Sequence, residues 1–245
     1  MNLSEMITRR RSVRAYLPEA VDEALLAEVA AFTEGLTPLL PGAEPVWRII
    51  PTADASFLQK WQNPQFFAFY VPVTAEEDGL LNVGYMYQQL DLFLQGKGLG
   101  TCWVGLGWPD EKKAPPQGMK LAVMMAFGYP AGKEAERKTA ADFKRRGPEE
   151  IADWVDDRLE PARLAPSATN SQPWFFTHDE HDADVLHVWR EKLTLLKKRT
   201  HGRMNLIDMG IALAHLKVSN PGFVFTRPDV LPEKENLLHV GMMKL

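Results

Sequence analysis

Two stretches of the sequence predict helices that are apolar on nearly every side, over Leu80–Gln95 and Met204–Val218. Helices of this kind are buried at the centre of a fold rather than lying on its surface. Each carries a glycine two residues after an Asn or Asp, at Gly84 and Gly210. Glycine inside a helix costs about 1 kcal/mol relative to alanine, so its recurrence predicts that the two helices approach each other closely.

The elements before these helices also recur. Pro18-Glu19 and Pro148-Glu149 each open a predicted helix, the second reaching about Leu159. Strands are predicted before and after the buried helices, over Trp47–Ile50, Phe66–Val73, Leu121–Tyr129, Gln172–Thr177, Asp184–Trp189, Phe223–Thr226 and Leu237–Leu245. The sequence therefore favours an α+β fold with two similar α/β halves, residues 1–147 and 148–245. We expect the halves to pack as an intramolecular pseudo-dimer about the two central helices.

Composition excludes several classes of protein. The 245 residues carry 28 Lys and Arg against 32 Asp and Glu, a net charge of −4 that argues against nucleic-acid binding. The longest apolar run, residues 121–127, is far shorter than the roughly 20 residues that cross a bilayer. Cys102 is the single cysteine, and no signal peptide is recognisable in the first residues. We expect a cytoplasmic protein with no nucleic-acid or membrane partner.

Two basic motifs could bind a phosphate group. Arg10-Arg11-Ser12-Val13-Arg14 precedes the first predicted helix, and Lys144-Arg145-Arg146 follows Tyr129-Pro130 at the end of a predicted strand. Arginine forks and a serine hydroxyl suit phosphate oxygens. Taken alone, each motif is also compatible with an ordinary solvated surface, because charge runs are usually exposed.

Two further segments could bind a flat heterocycle. Ala165–Trp174 combines small hydroxyl side chains, two amides and two prolines, and it could equally be a simple turn. The glycines of Gly98–Pro109 expose backbone N–H groups, although a helix cap followed by a turn would look the same. Trp103 stands where a dinucleotide fingerprint has its third glycine, so this is not that motif.

Together the four segments resemble the FMN-dependent nitroreductase family, in particular a single-chain branch in which one polypeptide mimics the usual homodimer. The resemblance rests on Arg10–Arg14, Gly98–Gly105, Lys144–Arg146 after Gly128-Tyr129-Pro130, and Ala165–Trp174. It covers nearly the whole chain, with a poor match over residues 35–65. It implies an FMN cofactor, NADH or NADPH as electron donor, and small acceptors such as nitroaromatics or quinones.

The order of the motifs departs from the family. The Ala-Pro-Ser loop ordinarily follows the first helix, where this chain has Leu36–Gly42 without the Ser and Asn. In the dimeric enzymes each flavin takes its Arg-rich end from one subunit and its Ala-Pro-Ser loop from the other. This chain has one good copy of each, in opposite halves. The resemblance therefore implies one FMN per chain between the halves, in a monomer that mimics a dimer.

The resemblance also implies roles for individual residues. Phosphate contacts would come from Arg10, Ser12, Lys144 and Arg146, and Arg14 would lie near the pyrimidine edge. Pro166, Ser167, Ala168 and Asn170 would line the ring, and backbone N–H groups near Gly105 and Leu106 would face the flavin N5. Arg11, Trp103, Val104 and Gln172 complete the predicted cofactor-binding set.

No side-chain acid, base or nucleophile is required for such a reaction, so none is predicted. His178, His181 and His187 lack a familiar metal-ligand spacing, and no metal site is predicted. His215 is expected to be a satisfied core histidine. Two other readings remain open: a flavin-binding protein without turnover, and a different flavin chemistry on the same fold, such as dehalogenation or flavin breakdown.

Overall fold

The structure is a computed structural model that describes residues 1–58, 61–110, 115–132, 139–230 and 232–245, with the side chains of 195–200 excepted. Its helices are α1 (Ser4–Arg9), α2 (Glu23–Glu34), α3 (Glu76–Gly96), α4 (Glu160–Arg163) and α5 (Leu195–Ser219). Its strands are β1 (Val46–Ile50), β2 (Ala55–Phe57), β3 (Gln65–Pro72), β4 (Gly100–Val104), β5 (Gly107–Pro109), β6 (Met119–Gly128), β7 (Trp174–His178), β8 (Val185–Glu191), β9 (Val224–Thr226) and β10 (Leu237–Lys244).

Two four-stranded sheets of the described residues share one topology. Their strand orders are β1-β3-β6-β4 and β7-β8-β10-β9. In both, the first two strands along the chain are neighbours, the last strand pairs with the second, and the third lies at the edge. Helix α3 is inserted between the second and third strands of the first sheet, and α5 occupies the same place in the second. The two halves therefore repeat one α/β arrangement, as the sequence predicted.

The two long helices cross in the middle of the molecule. A Cβ atom on Gly84 would lie 2.0 Å from the carbonyl oxygen of Ile207, and one on Gly210 would lie 2.1 Å from that of Leu81. The glycines are therefore required for the close backbone approach, which confirms the prediction from their recurrence. Around the crossing, one hydrophobic cluster joins buried side chains from both sheets and both helices. The proposed boundary at residue 147 remains a prediction.

The helix predicted over Pro148–Leu159 was wrong. The structure has two short 3-10 turns there, and α4 follows only at Glu160. The backbone of Phe176 in β7 forms hydrogen bonds with the backbone of Ile151 and Asp153. These groups are therefore not available for the hydrogen bonds of a helix. Asp156 adds a side-chain bond to the Arg158 N–H, an alternative to helix that aspartate commonly offers.

Other predicted boundaries were close to those observed. Helix α2 begins at Glu23, later than Pro18, because the Asp22 side chain accepts the Leu25 N–H and caps the helix there. Helix α3 ends at Gly96, and Gly98 follows with φ +81°, as expected for a glycine stop. Helix α1 and strands β2, β4 and β5 were not predicted. No helix of the described residues is long and apolar enough to cross a membrane.

Candidate functional site

A cavity of about 530 Å³ lies between the two halves of the chain, within the size range of small-molecule sites. Its wall is built from the segment after α1, strands β4 and β6, the turn after β4, the loop before β7, and helix α5. The lining residues are Arg10, Ser12, Arg14, Cys102, Trp103, Val104, Gly105, Leu106, Val123, Pro166, Ser167, Ala168, Thr169, His201, Met204, Ile207, Asp208 and Ile211.

The segment after α1 is held along the edge of the first sheet. Val13 N–H donates to the Thr101 carbonyl at 2.8 Å, and Ser12 forms an isolated parallel bridge with Thr101. The approach is close because position 100 is glycine, where a Cβ would come 2.7 Å from the Val13 side chain. The alternation of this extended segment then directs Arg10, Ser12 and Arg14 toward the cavity.

Arg10 is fixed by a buried ion pair. Its Nε lies 2.7 Å from Oδ2 of Asp91 on α3, with side-chain exposures of 4% and 0%. The Thr101 hydroxyl donates to the other oxygen of the same carboxylate. A buried charge of this kind persists only when it is paired and hydrogen-bonded. Arg10 therefore presents a held cation at the wall of the cavity.

Arg14 is arranged differently. It is exposed, and it makes no ion pair or hydrogen bond with any residue in the described part of the chain. Next to it, burial raises the pKa of the Cys102 thiol, while Arg14, Arg10 and the Ser12 side chain oppose that effect. Cys102 is consequently a neutral thiol at physiological pH, in keeping with a small buried side chain.

The loop before β7 forms the opposite wall and has an unusual backbone. Thr169, Asn170 and Gln172 have φ values of +52°, +59° and +49°. This left-handed region is uncommon for residues other than glycine, especially a β-branched one, and such strain concentrates at functional sites. The Gln172 N–H donates to Ser167 Oγ at 2.9 Å, which closes the loop on itself.

Asp208 of α5 anchors this loop through two hydrogen bonds. Its Oδ1 accepts the Ala168 N–H at 2.9 Å, and its Oδ2 accepts the Ser171 hydroxyl at 3.3 Å. Burial raises the pKa of Asp208 to about 7, although both hydrogen bonds favour the charged form. The cavity wall thus contains a carboxyl group that is partly protonated near neutral pH.

Several predicted site residues lie beside the cavity rather than on its lining. The Asn170 side chain donates to the Lys144 carbonyl and accepts from Arg145, and Gln172 accepts the Arg146 N–H. Arg146 is paired with Glu191. Lys144 is exposed, and Arg11 is half-buried without lining the cavity. The 144–146 segment is therefore hydrogen-bonded to the 170–172 part of the loop, outside the cavity lining.

Four other residues of the predicted cofactor-binding set do line the cavity. Trp103, Val104, Gly105 and Leu106 lie together on β4 and the turn after it. A Cβ at Gly105 would meet only the Met204 sulfur, at 3.6 Å, so this backbone faces open space across from α5. The Trp103 indole N–H is tied back to Gln88 Oε1 at 3.1 Å, which fixes the ring at the wall.

Helix α5 contributes side chains to the site that were not predicted from the sequence. His201, Met204 and Asp208 line the cavity, together with the apolar Ile207 and Ile211. The helix was assigned only to the core because its apolar residues occur on nearly all sides. The available signal was Asp208 itself, an acid within an otherwise apolar stretch.

Two histidines outside the cavity, His178 and His215, have structural partners. The His178 ring bonds Asp153 at 2.7 Å and Asp156 at 3.0 Å. His215 is fully buried, bonded to the Pro161 carbonyl at 2.9 Å and to Gln88 at 3.1 Å. Among the described residues, no group of His, Cys, Asp and Glu is arranged to hold a metal ion.

The sequence of the chain matches a known protein family. A family sequence model described as "Putative TM nitroreductase" matches residues 2–220. The chain belongs to this nitroreductase family. No curated protein is significantly similar to it in sequence.

A solved structure of a nitroreductase shares the fold over nearly the whole chain, and other solved structures match more weakly. A "putative nitroreductase" from Thermotoga maritima matches with a TM-score of 0.63 at 22% identity, over 99% of this chain and 92% of its own. A "Putative NADH dehydrogenase/NAD(P)H nitroreductase" from Parabacteroides distasonis matches at 0.47 and 16% identity, over 62% of this chain and 96% of its own. An FMN-dependent nitroreductase from Clostridium difficile matches at 0.44 and 13% identity, over 57% and 93%.

Proposed function

We propose that this family member is an FMN-dependent oxidoreductase that uses NADH or NADPH to reduce small acceptors such as nitroaromatics or quinones. The observation that carries the proposal is that Arg10, Ser12 and Arg14 from one half share a cavity with Pro166, Ser167 and Ala168 from the other. These are the two parts that the family resemblance assigns to one flavin. Their meeting supports one FMN per chain, bound between the halves.

The cavity has the chemistry that FMN requires. Arg10 and Ser12 line the cavity, and their guanidinium group and hydroxyl would suit a phosphate. The lining also includes apolar side chains that would suit a flat ring, namely Val104, Val123, Met204, Ile207 and Ile211. When bound, FMN would supply hydride transfer, and the protein would orient it and tune its electronics.

The chain's own residues would act chiefly by position. The Gly105 backbone leaves room for a ligand to approach closely, and it would direct N–H groups of the turn toward the ring. Arg14 would place positive charge beside the ring edge that becomes negative on reduction. Leu106 and Trp108, with 60% and 45% exposure, would shape the outer face where donor and acceptor alternate.

The pseudo-equivalent loop of the first half supports a single site. There the Asn82 side chain accepts the Leu40 N–H at 2.9 Å, as Asp208 accepts the Ala168 N–H in the second half. That first loop carries Leu39 and Leu40, which pack against the hydrophobic core, and it offers no hydroxyl groups at these positions. We infer a monomer with one active site, acting in the cytoplasm.

The test begins with the absorption spectrum of the purified protein, followed by heat release and quantitation of FMN. We expect close to one FMN per chain, either as purified or after addition. Two per chain would contradict the single site, and no binding at any concentration tested would contradict the proposal as a whole.

Turnover is tested separately on the loaded protein. NADH or NADPH oxidation should accelerate when a nitroaromatic compound or a quinone is added. A flavin-loaded protein that stays inert with every donor and acceptor would be a flavin-binding protein without turnover. Products lacking a halogen, or degraded flavin, would instead identify a different flavin chemistry.

A further inference from the structure

We propose that Asp208 is a positioning residue for the bound FMN and that it takes up one proton from solvent as FMN enters the cavity. The inference rests on the proposed function and concerns how this site responds to pH. It combines three observations: the place of Asp208 in the wall, its hydrogen bonds to the loop, and its comparison with Asn82.

The place of Asp208 makes it sensitive to a ligand. It lines the cavity with 2% exposure, beneath the loop that carries Ser167 and Ala168. A ligand that fills the cavity removes the remaining water from this side of the carboxylate. Less water raises the cost of the negative charge, so the neutral acid is favoured.

The comparison with Asn82 separates two roles for the side chain. Asn82 and Asp208 align in the sequence repeat, and each accepts a loop N–H, from Leu40 at 2.9 Å and from Ala168 at 2.9 Å. The amide of Asn82 shows that a neutral side chain is sufficient to hold such a loop. An acid at position 208 therefore adds something that loop anchoring does not need, namely an exchangeable proton at the cavity wall.

The negative charge of an FMN phosphate would act in the same direction. Arg10 and Arg14 also line the cavity, and Arg10 is already paired with Asp91. A negative charge brought near a carboxylate disfavours its charged form. The protonated acid can still serve the loop, because one oxygen accepts the Ala168 N–H while the other donates to Ser171 Oγ.

Other ionisable groups near the cavity have to be considered when the pH range of an experiment is chosen. Burial raises the pKa values of Cys102 on β4 and Tyr85 on α3, that of Tyr85 to about 12. The loop from 165 to 171 contributes hydroxyls but no ionisable group. His201 lies on the same helix and lines the cavity, so it requires its own control. A phosphate ester has its second pKa near 6, so the ligand itself changes little above about pH 7.

The experiment measures FMN binding by quenching of flavin fluorescence from pH 7 to 9 in the native protein, D208N and H201Q. We expect native affinity to fall as the pH rises, by up to about tenfold per pH unit for one linked proton. D208N should bind with nearly constant affinity, since its amide can accept from Ala168 and donate to Ser171. H201Q should keep the native slope. Equal slopes in D208N and the native protein would overturn the inference while leaving the proposed function intact.

A second measurement needs no variant. Calorimetric titration of the native protein with FMN at pH 7.5, in buffers of different ionisation enthalpy, counts protons directly. Uptake of a substantial fraction of one proton is expected, and no uptake would overturn the inference even if D208N failed to fold. If the native protein bound no FMN at all, the proposed function would be contradicted and this inference with it.

Discussion

Gly84 and Gly210 occupy equivalent positions in the crossing of α3 and α5. Each packs against the carbonyl of the residue three positions before its counterpart, Ile207 for Gly84 and Leu81 for Gly210. Reciprocal contacts of this kind are the signature of a two-fold interface, in which residue i meets j and j meets i. Within one chain, this reciprocity is the pattern expected of two repeated halves that pack as a pseudo-dimer.

The crossing leaves no space for a side chain, so alanine at either glycine should be strongly destabilising. For G84A and G210A we expect losses of about 3 kcal/mol or more in the free energy of unfolding, since rigid backbone must move. The helix-propensity gain of about 1 kcal/mol would offset only part of this. Urea denaturation of the two variants measures the net loss.

The control for this prediction is G222A. A Cβ on Gly222 would meet nothing within 4 Å, and its φ is not in the left-handed region. We expect a change within about 0.5 kcal/mol. If G84A unfolded at the same urea concentration as G222A, the close crossing would be refuted.

The sequence was most informative where its pattern depends on short-range periodicity. Residues Leu80–Gln95 and Met204–Val218 fall inside α3 and α5, and the predicted strands lie within a few residues of those observed. The site motifs were informative because part of each of three motifs lines one cavity: Arg10, Ser12 and Arg14, then Trp103–Leu106, then Pro166–Ala168. That convergence needs the fold, since these segments are far apart along the chain.

Tertiary pairing explains most of what was missed. The 148–159 stretch has helical composition, but pairing with β7 at Phe176 determined its conformation. Strand β4 was obscured by its glycine-rich sequence, which is ordinarily typical of turns, and pairing with β6 makes it extended. The role of Asp208 depended on which face of α5 meets the loop, and periodicity does not reveal a face when apolar residues surround the helix.

Arg10 and Arg14 should respond differently to the same substitution. Arg14 is exposed and unpaired within the described residues, so R14Q should weaken FMN binding roughly 10- to 100-fold through loss of a charge-assisted contact. Its thermal unfolding should hardly change. Arg10 is paired with buried Asp91, so R10Q should also lose about 3–5 kcal/mol of stability by leaving that carboxylate uncompensated.

The measurements for these two variants are flavin fluorescence quenching and thermal melts without ligand. R14Q, whose stability should be unchanged, is the control for the stability loss expected of R10Q. Unchanged FMN affinity in folded R14Q would remove Arg14 from the predicted site. A native melting temperature in R10Q would contradict the structural importance of the pair.

Asp208 should make the ligand-free protein less stable as the pH rises. Its pKa is about 7 in the folded state, above the ordinary value of an aspartate. Between about pH 4 and 7 the folded protein therefore retains a proton that the unfolded chain has lost, and stability falls by up to about 1.4 kcal/mol per pH unit. Below about pH 4 both states are protonated, so the effect vanishes there.

D208N removes this dependence. We expect it to be more stable than the native protein at pH 8, by at most about 4 kcal/mol, and similar at pH 4. Urea denaturation at the two pH values provides an internal control. A variant that is equally or less stable at pH 8 would show that the carboxylate is well solvated or better paired than the structure indicates.

His215 should have the opposite effect on acid stability. Burial lowers the pKa of His215 to about 3, and its ring is bonded as a neutral imidazole to the Pro161 carbonyl and to Gln88. As the pH falls from about 6.5 toward 3, the unfolded chain binds a proton that the folded protein does not. Folding stability should therefore fall by up to about 1.4 kcal/mol per pH unit across this window.

H215Q lacks the ionisable ring and tests this directly. It should be less stable than the native protein at pH 7, by about 1–3 kcal/mol from disrupted hydrogen bonds. Its further loss between pH 6.5 and 4 should be smaller than that of the native protein. H181Q, at an exposed position, should follow the native curve. If native and H215Q lost stability in parallel as the pH fell, the neutral buried state of His215 would not contribute to acid sensitivity.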